Sequence, residues 1–153
     1  MTAHYIPDTL IYKGKEYNIF DDIPLFSTYL EQHKIELPRD MWTFRGYVAK
    51  WEIKDNMLFL VELKALIPKR CNPDNIHVFK SRMSGKPLGV GLDYFFPNQK
   101  TVLADWYSGE LMICYERKYY EEYDNTILLT FMIDKGHIVE EKYQTQKEWY
   151  MSR

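Results

Sequence analysis

Along "YVAKWEIKDNMLFLVEL" (47–63), apolar and polar residues alternate through the first half. An Asp-Asn pair then separates that half from a second strand-like run. Successive side chains of a strand point to opposite faces, so the pattern predicts a β-hairpin closed by a two-residue turn at Asp55-Asn56. In that register Ile53 faces Leu58 and Trp51 faces Leu60, with Ala49 and Tyr47 continuing the same face. The second run is apolar on both faces over most of its length, as expected of a strand covered on both sides.

The same grammar recurs in "LIYKGKEYNI" (10–19), "DWYSGELMI" (105–113) and "FMIDKGHIV" (131–139), each with turn residues between strand-like runs. Gly and Asn accept the positive φ that tight hairpin turns need. A turn at Ser108-Gly109 would put Val102, Ala104, Trp106, Leu111, Ile113 and Tyr115 on one face, the expected core face. The two Lys-Gly hairpins fit either a two-residue loop or a longer bulged turn, and a one-residue slip would exchange their faces. "ILLTFMI" (127–133) is apolar throughout and reads as a central strand. Between Asp22 and Lys34, with Pro24 in the first turn, the spacing of Leu25, Tyr29 and Leu30 predicts one short helix. The stretch 68–99 is rich in Pro and Gly and reads as a long connection with one strand-like piece at 75–79. The expected fold is therefore mainly β: a curved antiparallel sheet or partly closed β-barrel of successive hairpins, with one helix near 22–34, in a single domain over 1–153.

Composition sharpens this picture in one respect. Of 153 residues, 13 are Tyr, 8 Phe and 4 Trp, a bias that suits pleated, half-buried surfaces and aromatic contact faces. The net charge of −2 supplies no field that would draw the chain to nucleic acid or an anionic membrane. Residues 1–17 carry no signal-peptide pattern, and no run approaches the ~20 apolar residues of a membrane span. Cys71 and Cys114 form no paired motif, so reduced thiols and a cytoplasmic setting are expected.

Candidate chemistry is sparse. His4, His33, His77 and His137 fall at no ligand spacing, so neither a metal nor another cofactor is expected. Cys114 has no neighbour in sequence that would activate it, and no nucleophile elbow is present. "SGKPLGVGLDY" (84–94) matches no phosphate-loop motif, although Lys69, Arg70, Lys80, Arg82 and Lys86 make its surroundings basic. Glu52 and Asp105 each stand beside a tryptophan, and a cavity on their face would let them act as an acid/base pair. No catalytic residue is assigned on that basis. The richer signal is "CYERKYYEEYD" (114–124). There Tyr115, Tyr119, Tyr120 and Tyr123 interleave with Glu121 and Glu122, offering amphipathic contact area beside acids that would select a basic protein surface.

"WTFRGYVAKWEIKDNMLFLVEL" (42–63), "VLADWYSGEL" (102–111) and "LTFMIDKGHIVEE" (129–141) resemble a pattern in small bacterial proteins of no established function. Those share a G-Y-x-A-x-W-E-I hairpin and a later A-D-W-[FY]-x-G-x-L hairpin. The resemblance covers about half of the chain and carries no catalytic residues across. It implies an interaction protein, of the kind that serves as a toxin antidote or toxin partner. Size and hairpin succession also resemble lipocalin-like barrels, although "GYVAKW" departs from their Gly-x-Trp signature. That resemblance implies a small apolar ligand as the alternative to a protein partner, and an enzyme using Glu52 and Asp105 comes third.

Overall fold

A computed structural model describes residues 6–20, 23–38, 45–67, 78–80, 88–116 and 126–152. The chain begins with a hairpin of β1 (Thr9–Tyr12) and β2 (Lys15–Asn18), followed by helix α1 (Leu25–Gln32) and the long hairpin of β3 (Tyr47–Lys54) and β4 (Met57–Ile67). Short strands β5 (Val78–Lys80) and β6 (Leu88–Val90), helix α2 (Leu92–Phe95) and strand β7 (Val102–Leu103) come next. Strands β8 (Gly109–Glu116), β9 (Ile127–Asp134) and β10 (His137–Thr145) and helix α3 (Gln146–Met151) complete the order.

The strands form one curved sheet in the order β2-β1-β3-β4-β10-β9-β8, with β6 and β7 also beside β4 and β5 beside β6. Its two ends approach each other at a single bridge, Ile19 to Ile113, and the sheet is not closed into a barrel. The expected antiparallel character holds except between β1 and β3, which run parallel with Leu10 beside Trp51. A parallel pair requires a crossover rather than a tight turn, and here β2 and α1 lie within that crossover.

Among the described residues, three turns have both central residues at positive φ: Lys13-Gly14, Asp55-Asn56 and Lys135-Gly136. Each joins strands through a two-residue loop whose twist matches the flanking strands. The register expected for β3 and β4 is found near the turn, where Ile53 faces Leu58 and Trp51 faces Leu60. Beyond it a bulge between Lys50 and Trp51 leaves Val61 as the extra residue of β4. The inward positions of β4 therefore shift from Leu58 and Leu60 to Leu63, Ala65 and Ile67, while Met57, Phe59 and Val61 are half-buried and Leu66 is buried on the other face. The apolar run thus combines this change of phase with partial cover of the outward face, where Met57 and Phe59 are half-buried and Leu66 is fully buried.

The third expected hairpin is not formed. Val102 and Leu103 pair with Leu60 and Phe59 of β4, Ala104 donates its N–H to Leu58, and β8 takes β9 as its partner. Trp106 fastens the chain where it turns away. Its indole is half-buried, donates to the Leu25 carbonyl at 2.8 Å, and stacks on Phe96 with centroids 5.9 Å apart. Val102, Ala104, Leu111 and Ile113 still belong to the core.

Inside the curve, Leu10, Trp51, Leu60, Leu111, Leu129 and Phe131 are fully buried against one another, so side chains fill the space between the sheet's two flanks. Helix α1 covers one end of this core with Leu25, Phe26 and Leu30. Asp8 ties the first strand to β3 from within: it is 4% exposed and accepts from Arg45 Nη2 at 2.7 Å, the Ala49 N–H at 3.0 Å and Trp51 Nε1 at 3.2 Å. No helix among the described residues is long and apolar enough to cross a membrane.

Candidate functional site

Near the Ile19–Ile113 bridge, tyrosines from four strands converge. Tyr17 of β2 and Tyr115 of β8 stack with centroids 5.9 Å apart and planes 17° off parallel. The Tyr143 ring, from β10, meets Tyr115 edge-on at 5.2 Å. Tyr12 of β1 lies deeper, edge-on to Phe131 at 5.0 Å, and its hydroxyl donates to Glu141 Oε2 at 3.3 Å. Register explains the convergence. Leu10 and Tyr12 share the inward face of β1, Tyr17 stands opposite Leu10, and Tyr143 stands opposite the buried Leu129.

The mouth of this cluster is a concavity of about 410 Å³ lined by Tyr12, Lys13, Lys15, Tyr17, Tyr115 and Glu116. Lys13 Nζ sits 5.2 Å above the Tyr12 ring, a favourable placement of a cation on an aromatic face. Burial pushes the Tyr12 phenol far above its ordinary range, and the Tyr143 hydroxyl and the Glu141 carboxylate push it further. Burial raises Tyr17 too, with the neighbouring Tyr115 and Tyr143 phenols adding to it. These hydroxyls therefore stay protonated and act as hydrogen-bond groups, with their rings supplying apolar area. Tyr143 remains 49% exposed, so the cluster presents aromatic surface outward as well as closing the core.

Of the residues singled out in sequence, Tyr115 is in this cluster, half-buried. Tyr119, Tyr120, Glu121, Glu122 and Tyr123 lie outside the described residues, as do Cys71, His4, His77 and most of the basic stretch 69–86. Sequence reasoning missed Tyr12, Tyr17 and Tyr143. Counting outward from a two-residue Lys13-Gly14 turn puts Tyr12 and Tyr17 on one face, so the signal existed once the loop length was fixed. Glu52 is half-buried on the outward side of β3, in a row with Ile11, Phe59 and Leu103, and Asp105 is exposed in the turn after β7. Lys50 pairs with Glu16 at 3.3 Å and Glu62 at 3.6 Å. Cys114 is a half-buried free thiol opposite Leu128. Among the described residues, no three His, Cys, Asp or Glu side chains converge into a group able to hold a metal ion.

Comparison with protein families, curated proteins and solved structures yields no match to this chain. Its function is therefore read from its own geometry.

Proposed function

We propose that the protein is a binding protein that engages a protein partner across the tyrosine cluster, in a role of the toxin-antidote kind. The observation that carries this reading is the meeting of Tyr17, Tyr115 and Tyr143, three amphipathic rings from separate strands, at a concave and partly exposed site. Tyrosine offers large contact area for few rotatable bonds, which is why such residues dominate many interfaces. Glu116 and Glu141 flank the cluster, and Glu121, Glu122 and Asp124 follow in sequence. The partner's facing surface is accordingly basic, with Lys13 and Lys15 of the same concavity setting its orientation. The filled interior supports a surface contact over a small apolar ligand held within the curve.

The test compares wild-type protein with a Tyr17→Ala/Tyr143→Ala variant of matched melting temperature, each isolated under native conditions from cells that express it. A specific companion should be lost from the variant. Its association rate with the purified wild-type protein should fall as salt rises. A companion retained equally by both proteins would place the contact elsewhere.

A further inference from the structure

The outer face of β8, β9 and β10 carries a second concavity, on the side of the sheet away from the tyrosine cluster. A bulge at Val139, between Ile138 and Glu140, sets which side chains of β10 face it. Were Val139 paired regularly in the ladder, Glu140 would fall opposite Phe131 and point at the core. With the bulge, Glu140, Lys142 and Gln144 stand opposite Met132, Thr130 and Leu128, while Glu141 and Tyr143 turn to the core side. Continued across β8, the rows read Glu110–Met132–Glu140 and Met112–Thr130–Lys142.

Helix α3 makes the wall. A reciprocal capping box fixes its start: the Glu148 N–H donates to Thr145 Oγ1 and the Thr145 N–H to Glu148 Oε1, both at 3.1 Å. The Gln146 N–H donates to the Thr126 carbonyl at 2.8 Å, anchoring the helix beside β9. Trp149 is thereby held at the edge of a cleft of about 560 Å³, whose lining includes Glu110, Thr130, Glu140, Lys142 and Gln144. That volume lies within the range of small-molecule sites.

The chemistry of the lining narrows the ligand. Glu110 and Glu140 stand either side of the central strand, about 10 Å apart at their Cα atoms by two strand spacings. They disfavour an anion. Lys142, one row away, offsets part of their field, which lessens the gain of a simple cation there. Among the described lining residues, two carboxylates, an amide, the Thr130 and Ser152 hydroxyls and an ammonium, with the Met132 side chain beside them, instead match a neutral molecule dense in hydroxyl groups. The indole supplies an apolar face with a polar edge. A pyranose ring has the complementary form, with C–H groups on one face and hydroxyls around its rim. We infer that the α3 cleft is a saccharide-binding site, in which Trp149 stacks on the sugar ring while Glu110, Glu140 and Gln144 hydrogen-bond its hydroxyls.

The experiment titrates the full chain with gluco-, galacto-, manno- and N-acetylglucosamine-based tetrasaccharides, following tryptophan emission and saturation-transfer NMR, with spermidine and inorganic phosphate as charged controls. At least one saccharide should give a saturable response at millimolar or lower concentration. Trp149→Ala should weaken that response at least tenfold at an unchanged melting temperature. Glu140→Gln, which leaves the indole in place, should weaken it severalfold. Failure of every saccharide to saturate overturns the inference, as does an undiminished response in Trp149→Ala. Saturable binding of spermidine or phosphate alone also overturns it, by assigning the cleft to an ion. Because Tyr17 and Tyr143 lie on the other side of the sheet, their substitution should leave the saccharide response intact.

Discussion

Asp8 shows how much one buried side chain can organise. Its carboxylate satisfies a guanidinium, a backbone N–H and an indole N–H at the point where β1 lies parallel to β3. Removing one partner of a buried charged pair leaves the other uncompensated, at a cost of about 3–5 kcal/mol. Asp8→Ala should therefore lower the urea midpoint steeply, and Asp8→Asn, which keeps one accepting oxygen, should lower it less. A melting curve unchanged by Asp8→Ala would contradict this network. Tyr12 yields a prediction in pH. Its phenol titrates above the ordinary tyrosine value in the folded chain, so the unfolded chain loses the proton first as pH rises past about 10. The associated stability is complete below that range and drains away through the alkaline range. Tyr12→Phe should flatten the alkaline fall in unfolding free energy while changing neutral-pH stability by about 1 kcal/mol through the lost hydrogen bond to Glu141.

At the level of elements, local chemistry was legible and long-range pairing was not. Asp55-Asn56 announced its turn and Trp51, Ile53, Leu58 and Leu60 their register, because a two-residue loop fixes both. The helix over Leu25–Gln32 followed from Pro24 and the apolar spacing. Ser108-Gly109 misled: the residues look like a hairpin turn, yet tertiary contacts of Ala104 and Trp106 direct 102–107 to β4 and α1. The parallel β1–β3 pair leaves no local mark at all. Two features were readable and went unread. One is the shift of apolar parity between Leu60 and Leu63, the imprint of the β4 bulge; the other is Thr145-x-x-Glu148, the capping box of α3. For the site, Tyr115 could be named from sequence, but its companions come from strands whose faces depend on loop length. The two Lys-Gly turns also differ in a measurable way. An alanine Cβ at Gly136 would lie 2.9 Å from the Ala104 carbonyl oxygen, whereas nothing lies within 4 Å of one at Gly14. Gly14→Ala should cost about 1 kcal/mol, for positive φ alone. Gly136→Ala should cost distinctly more in a denaturant titration, and equal costs would argue against contact between the Lys135-Gly136 turn and Ala104.

Across the whole molecule, the two flanks of the sheet meet at the β4–β10 corner, where His137 pairs with Met57, and at the Ile19–Ile113 bridge. Ile19 is 4% exposed, so Ile19→Ala should cost about 2–4 kcal/mol. Hydrogen exchange should then quicken along β8 and β2 before it does in β3, and a uniform change would mean that the bridge is not a separate point of opening. The same bridge has a consequence in time. Its partners stand at opposite ends of the strand order and far apart in sequence, so the contact that joins the edges cannot form until β8 has been made. Contacts of this reach slow folding, because a long stretch of chain must be ordered before any of them forms. Refolding should accordingly fall in the millisecond-to-second range of non-local β proteins. During synthesis, the inward faces of Leu10, Tyr12 and Trp51 must wait for Leu111, Leu129 and Phe131 to emerge, so the unfinished chain keeps apolar surface exposed until its last strands are made.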